Sequence, residues 1–280
     1  MTLHHLKSTT SLLITIVICS FLSSCAKHTG KKLILAGSTS VQPFAELWAE
    51  AYTAKHPEAK VVVQGGGSSA GIESALTGVS DIGMSSRELQ PDEESDSNGQ
   101  KKLSKVLVAL DAIAIIANAS SSLADLSSEQ LRDLFAGRIS KIDNLPITVV
   151  TREEGSGTRK SFEETVMRVP GSKKSERISN SALVQDSNGA VREIVAGDPN
   201  AVGYISLGLV DKRVKPLAID GILPTVETVK DKRYGIFRPF LFILKNRNNP
   251  LAEDFINFCL SEEGQDIVAK KGLIKIEIMQ

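Results

Sequence analysis

Three times along this chain a short apolar strand runs into a turn of glycines and hydroxyls and out into a helix. The turns are Gly37-Ser-Thr-Ser40, Gly65-Gly-Gly-Ser-Ser69 and Gly155-Ser-Gly-Thr158. Lys32-Leu-Ile-Leu-Ala36, Lys60-Val-Val-Val-Gln64 and Ile147-Thr-Val-Val150 lead into them, each a run suited to a buried strand. After the first turn Phe44, Leu47, Trp48, Ala51 and Tyr52 share one helical face; Ile72, Ala75 and Leu76 follow the second, and Ser161-Phe-Glu-Glu-Thr-Val-Met167 the third. Strands that alternate with helices in this way predict α/β layers with helices on both faces of a sheet. In such a sheet the turns open at the carboxyl ends of the strands, so two facing lobes would gather them around one ligand.

The turn chemistry indicates what kind of ligand. The first N–H groups of a helix lack intrahelical partners and lie at the positive end of its dipole, so a Gly/Ser/Thr turn there suits an anion. A capped helix after a tight turn explains any one copy. Three copies, with few carboxylates among them, point to a small oxyanion. A buried dianion needs many charge-assisted hydrogen bonds, at about 1.5–3 kcal/mol each, to offset its lost hydration. Arg152 and Arg87 lie next to hydroxyl turns, Arg87 closing Asp81-Ile-Gly-Met-Ser-Ser-Arg87. A guanidinium presents a planar fork that matches two oxygens of a tetrahedral anion. Arg159, on the third helix, is equally placed to pair with Glu153 or Glu163.

Two longer apolar segments organise the rest. Val106 to Asn118 is broken only by Asp111 and is longer than an ordinary strand, which suits a crossing from one lobe to another. Arg238-Pro-Phe-Leu-Phe-Ile-Leu244 reads as the return. The expected units are therefore residues 32–110 plus 240–280, and residues 111–239. Ser127 to Gly137 reads as a helix capped by Ser127 or Ser128 and ended by Gly137, and residues 90–102 as a polar connection. Asn188 to Gly197 starts another helix, Ala201 to Ser206 is a strand, and Leu251–Leu260 and Gln265–Ala269 are closing helices.

The N-terminus addresses the chain. Lys7, the apolar run Leu12 to Ile18 and Phe21-Leu-Ser-Ser24 make a secretory signal over residues 1–24, too short to span a bilayer stably. Leu22-Ser-Ser-Cys25 resembles the lipobox of bacterial lipoproteins, which implies lipidation at Cys25, a tether over 25–31 and a membrane-anchored protein in the periplasm or at the cell surface; a plain signal peptide cut nearby is the alternative. Cys19 leaves with the signal, so Cys259 is left without a partner for an internal disulfide and reads as a small core residue. The 33 basic and 33 acidic residues balance and are interspersed, which argues against a nucleic-acid surface.

Enzymatic readings fail on inventory. Gly67-Ser-Ser-Ala-Gly71 satisfies the G-x-S-x-G pattern of a nucleophile elbow, but no histidine follows His56 to serve as base. Gly65-x-Gly67-x-x-Ala70 is a weak dinucleotide fingerprint, and Asp81 stands at the start of the next strand, not at its end where a ribose would need it. No Walker sequence and no His/Cys/carboxylate cluster at ligand spacing is present in the sequence, so no catalytic residue, cofactor or metal is expected.

With these motifs in place the chain resembles the phosphate-binding (PstS-type) solute receptors of ABC importers. The likeness runs in order over residues 32–275, through Ala36-Gly-Ser-Thr-Ser-Val-Gln-Pro43, Gly65-Gly-Gly-Ser-Ser-Ala-Gly71, Asp81 to Arg87, Arg152-Glu-Glu-Gly-Ser-Gly-Thr158 and Ala201 to Ser206. The resemblance implies a two-lobed type II periplasmic-binding-protein fold with a two-stranded hinge and a cleft between the lobes. It implies inorganic phosphate as ligand, an ABC permease as partner, and a monomer. By position it implies donors from Thr39, Ser40, Ser68, Arg152, Ser156, Gly157 and Thr158. Many members of that family carry an Asp where this chain has Ser86, so here Ser86 is expected to donate or accept as required and Arg87 to add charge. The departure leaves selectivity between phosphate and other tetrahedral oxyanions such as arsenate open. A surface interaction or sensor protein built on the same fold is the alternative.

Overall fold

The computed structural model describes residues 31–276, residue 173 excepted. The expected signal, Cys25 and the tether up to residue 30 lie outside the described residues. From Lys32 onward the chain forms one compact unit.

The first part alternates as its sequence pattern requires: β1 (Lys31–Gly37), α1 (Gln42–Lys55), β2 (Ala59–Gly65), α2 (Ser68–Thr77), β3 (Ile82–Ser85) and the single turn α3 (Pro91–Glu94). β4 (Ser104–Asn118) is the long crossing, at 15 residues. Beyond it come β5 (Asp125–Leu126), α4 (Ser128–Ala136), β6 (Lys141–Ile142), β7 (Leu145–Pro146), β8 (Thr148–Arg152), α5 (Gly157–Thr165), β9 (Leu183–Gln185), α6 (Asn188–Gly197) and β10 (Ala201–Ser206). After β11 (Val214–Pro216), β12 (Ala218–Ile219) and α7 (Val226–Lys230), β13 (Phe237–Leu244) returns, and α8 (Pro250–Leu260) and α9 (Glu262–Ala269) close the chain.

The main sheet runs β2-β1-β3-β13-β4-β10-β8-β9, with β11 also on β4. β1 and β3 are parallel, as are β10 and β8, and β8 and β9, while β13 and β10 run antiparallel to β4. β4 is thus shared. Its first half pairs with β13 from Ser104 to Ala112, and its second half pairs with β10 from Ile113 to Ala117.

The cores divide at the same place. Val108 and Ala109 pack with Leu33, Trp48, Tyr52, Phe242 and Phe255, whereas Ala112, Ile113 and Ile115 pack with Phe135, Phe162 and Tyr204. Along its second half β4 alternates: Ile113, Ile115 and Ala117 face one core, and Ala114 and Ile116 face another built on Val150, Val191 and Ile205. A strand covered on both faces has no need of polar alternation, which is why this segment reads as a continuous apolar run. Cys259 is buried in the first core with a free thiol, and burial pushes that thiol well above its ordinary range.

Local signals place several ends. Ser127, not Ser128, caps α4 by accepting from the Gln130 N–H in a capping box, and Gly137 ends the helix at φ 75°. α1 buries Ala45 and Ala49 beside Phe44, Trp48 and Tyr52, with Leu47 and Ala51 only half-buried. The buried stripe is therefore turned slightly from the expected one. In the 90–102 connection, expected to be polar, Gln90 caps α3 and a bridge joins Ser95 to Lys101.

Candidate functional site

The carboxyl ends of β1, β3, β8 and β10 open toward one another, and the residues after them bury their polar groups together. Ser38, Ser40, Ser68, Ser86, Arg152, Ser156, Thr158, Asn188 and Ser206 are all buried. Gly67, at φ 89°, turns the chain into α2 without a side-chain cap, in a backbone region that favours glycine. Ser156 caps α5 by accepting from the Arg159 N–H at 3.3 Å, so the N–H groups of Gly157 and Thr158 fall in the unpaired first turn. Gly157 is needed for a different reason: a Cβ there would stand 2.2 Å from Ser68 Oγ and 2.6 Å from Ser86 Oγ.

Hydrogen bonds join the turns across the gap between the cores. Ser40 Oγ and Thr158 Oγ1 are 2.9 Å apart, and Asn188 Nδ2 donates to Ser40 Oγ at 2.8 Å. The Arg152 NH2 group donates to Thr39 Oγ1 at 3.1 Å, Ser161 Oγ to the Ser86 carbonyl at 3.2 Å, and the Ser69 N–H to the Gly155 carbonyl at 3.2 Å. The cleft is therefore shut to hydrogen-bonding distance. A separate cavity of about 230 Å³, lined by Leu131, Arg132, Val166, Ile219, Tyr234 and Ile236, contains none of these residues.

Arg152 is the buried cation at the centre, 1% exposed. Glu153 takes its Nε and NH2 groups at 2.9 Å each, and the Gln185 and Asp186 carbonyls accept from the same two nitrogens at 3.3 and 3.0 Å. NH1 is buried with no hydrogen-bond partner among the described residues. A charged donor left in that state costs more than the roughly 1–3 kcal/mol of a neutral one, so its position calls for an acceptor that the described residues do not supply. Behind it, Tyr204 lies stacked 4.2 Å from Phe162 and holds the end of β8, its hydroxyl 2.7 Å from Thr151 Oγ1 and accepting from the Arg152 N–H. Burial pushes that phenol up to about 12.

Arg87 departs from the expectation. Its guanidinium forks onto Glu93 at 2.7 Å on both nitrogens and reaches Ser69 Oγ at 3.2 Å. Burial alone would raise the Glu93 carboxyl, yet the Arg87 fork and the Gln90 N–H bring it below its usual range. The cation beside Ser86 is Arg238 instead. Its NH1 donates to Ser86 Oγ at 3.4 Å, while Nε and NH2 grip Asp111 Oδ2 at 3.1 and 2.9 Å. Arg238 and Asp111 are cross-strand partners of β13 and β4, lying where the shared strand passes from one core to the other. Ser206 Oγ donates to Asp111 Oδ1 at 2.7 Å. Complete burial raises the Asp111 carboxyl, and the guanidinium and Ser206 pull it back.

This architecture has solved counterparts. The sequence profile of the PBP superfamily domain matches residues 24–263. The phosphate-binding protein PstS of Bacillus subtilis is 31% identical over 255 residues, covering 89% of this chain and 82% of its own. The chain belongs to the PstS family. A Clostridium perfringens protein assigned as a phosphate ABC transporter substrate-binding protein, solved with bound phosphate, is 40% identical with a TM-score of 0.81 over 88% of this chain and all of its own. An ABC-type phosphate transport receptor from Vibrio cholerae is 34% identical, with a TM-score of 0.69 over 87% of this chain and all of its own. The fold is accordingly the two-lobed type II periplasmic-binding fold, and these PstS-family relatives are named as binding and transport proteins.

In this PstS-family chain Thr39, Ser40, Ser68, Ser86, Arg152, Ser156, Gly157 and Thr158 come together, while Arg87 forks onto Glu93 and touches the second turn only at Ser69 Oγ. Sequence reasoning missed Ser38, Asp111, Asn188, Ser206 and Arg238. Asp111 and Arg238 had a signal, each being a charge set in or against an apolar strand, and a charge there needs a buried partner. Arg159 pairs with Glu163 at 2.8 Å and donates to the Arg152 carbonyl at 3.0 Å. Among the described residues no group of three or more His, Cys, Asp or Glu could hold a metal, and no helix is long and apolar enough to cross a membrane.

Proposed function

We propose that this protein is an extracytoplasmic receptor that captures inorganic phosphate between its lobes and delivers it to an ABC-type permease, catalysing no reaction itself. The observation that carries this reading is the buried, unpartnered Arg152 NH1, set among hydroxyls and helix N-termini drawn from both lobes. The anion receives the Arg152 fork and the N–H and hydroxyl donors of Thr39, Ser40, Ser68, Ser86, Ser156, Gly157 and Thr158. Arg87 adds no free charge, since Glu93 takes it. The lobes are residues 32–110 plus 240–280 and residues 111–239, hinged where β4 and β13 cross. A ligand that touches both lobes favours the shut form over the open one, which is a population shift. The receptor works as a monomer tethered through lipid on Cys25, and the family names of its relatives support the transport role.

Calorimetric titration of the purified protein with phosphate tests the reading, with saturable one-to-one binding expected. No heat at any phosphate concentration, together with no protection against melting, would discard it. Gly157→Ala is expected to weaken phosphate by about 2 kcal/mol or more, because the added methyl falls on Ser68 Oγ and Ser86 Oγ and keeps the turns apart. An unchanged isotherm for that variant would show that the lobes need not approach as closely as they do here.

A further inference from the structure

The hydrogen bonds around Ser86 restrict what that hydroxyl can still do. A serine oxygen has two lone pairs and one hydrogen. Ser86 Oγ already accepts from Ser38 Oγ at 2.9 Å and from the Arg238 NH1 group at 3.4 Å. What remains is its hydrogen, free to turn to Ser68 Oγ at 3.4 Å or to a ligand. The neighbouring carboxylates are each held in an ion pair. Asp111 is held by Arg238 and Ser206, Glu153 by two nitrogens of Arg152, and Glu93 by Arg87. Among the hydroxyls of the turns, Thr39 Oγ1 accepts one bond from Arg152 and Ser68 Oγ one from the Ser86 N–H at 3.0 Å, so each keeps a lone pair for a ligand. A hydroxyl can accept a proton from a ligand or, by rotating, donate to a bare oxygen. A carboxylate can only accept, and repels a bare oxygen.

We propose that this site selects its tetrahedral anion by charge and not by proton content: it takes the dianions, hydrogen phosphate and sulfate alike, and disfavours dihydrogen phosphate. The proposal rests on the phosphate-receptor reading and narrows its ligand class. Arg238 is its specificity-determining residue, because it occupies a lone pair of Ser86 and so leaves that serine a donor. One P–OH of hydrogen phosphate finds a hydroxyl acceptor. The second proton of the monoanion competes with the donors that fill the site, and sulfate meets no carboxylate that is not already offset by a guanidinium.

Affinity for total phosphate should therefore follow the dianion fraction, which rises through neutral pH. The charged groups facing the site do not produce that trend. Arg87 and Glu93 beside β3, Arg152 and Glu153 at the end of β8, Asp186 before α6, Arg159 and Glu163 on α5 and Arg238 on β13 are arginines and carboxylates, with no histidine among them. Asp111 on β4, raised by burial, would add negative charge as pH rises and so weaken anion binding, which is the opposite sign.

The test is calorimetry with sodium phosphate and sodium sulfate near pH 5.5 and pH 8. Phosphate is expected to bind about tenfold or more tightly at the higher pH. Sulfate is expected to displace it with a Kd within about a hundredfold of phosphate's. Ser86→Asp, which restores an acceptor, should raise the sulfate-to-phosphate Kd ratio by about tenfold or more. If that variant does not fold, Ser86→Ala decides: equal weakening of both anions upholds a donor role, and selective loss of phosphate overturns it. Tight phosphate binding with sulfate excluded, or with affinity highest at the lower pH, defeats this inference alone. Absence of phosphate binding at both pH values defeats the receptor reading beneath it.

Discussion

Arg152→Ala should cost phosphate affinity about 2–5 kcal/mol, at least some thirtyfold in Kd. The side chain brings together three things that no neighbour replaces. It carries the buried charge that opposes the anion's, its NH1 is the one Arg152 nitrogen with no partner among the described residues, and its NH2 fixes the Thr39 hydroxyl of the first turn. Truncation would also free Glu153, whose two oxygens are bound to the guanidinium, and leave a carboxylate near the anion with nothing to offset it. Arg152→Lys retains charge but loses the planar fork, and should fall between the two. Melting curves without phosphate separate binding from folding, since most of the loss should be absent from them. An alanine variant that binds phosphate within about threefold of the parent would remove Arg152 from the site.

The second large effect is on stability. Arg238→Ala should destabilise the fold by about 3–5 kcal/mol, because it strands Asp111 as an unpaired charge with no exposure. For a chain of this size that corresponds to a fall in Tm of roughly 6–20 °C. The double change Asp111→Leu with Arg238→Met should regain most of it, since a buried ion pair replaced by apolar groups of similar volume is often neutral or better. The pair would then be retained for what Arg238 does at Ser86 and for joining β4 to β13 at the crossing, not for stability. Differential scanning calorimetry of the two single variants and the double decides this. A double variant as unstable as Arg238→Ala would mean that the pair itself supplies the stability.

Much of this molecule can be read from short windows of its sequence. The hydroxyl turns are legible because a strand, a glycine and a helix cap each act within a few residues. Ser127 and Gly137 mark both ends of α4 in the same way. The long apolar run of β4 announces a strand covered on both faces, whichever partners cover it.

The pairing of charges was not legible in this way. Arg87 adjoins a hydroxyl turn in sequence and was expected in the site, but Glu93 lies six residues on and one short turn away, and takes it. Arg238 reaches Ser86 across 152 positions of sequence and Asp111 across 127, and Asn188 reaches Ser40 across 148. No periodicity or spacing encodes such contacts. They exist because β13 returns beside β4 in one register, and because the lobes close until their turns touch.

By itself, then, the sequence determined the layers, the turns and the polarity of the ligand, since these follow from backbone hydrogen bonding and side-chain periodicity over a few residues. Which guanidinium keeps an unpartnered nitrogen, which carboxylate offsets it, and which bonds the Ser86 hydroxyl accepts were decided by tertiary structure alone. Those properties depend on the desolvation of groups far apart in the chain, and desolvation is set only when distant segments pack.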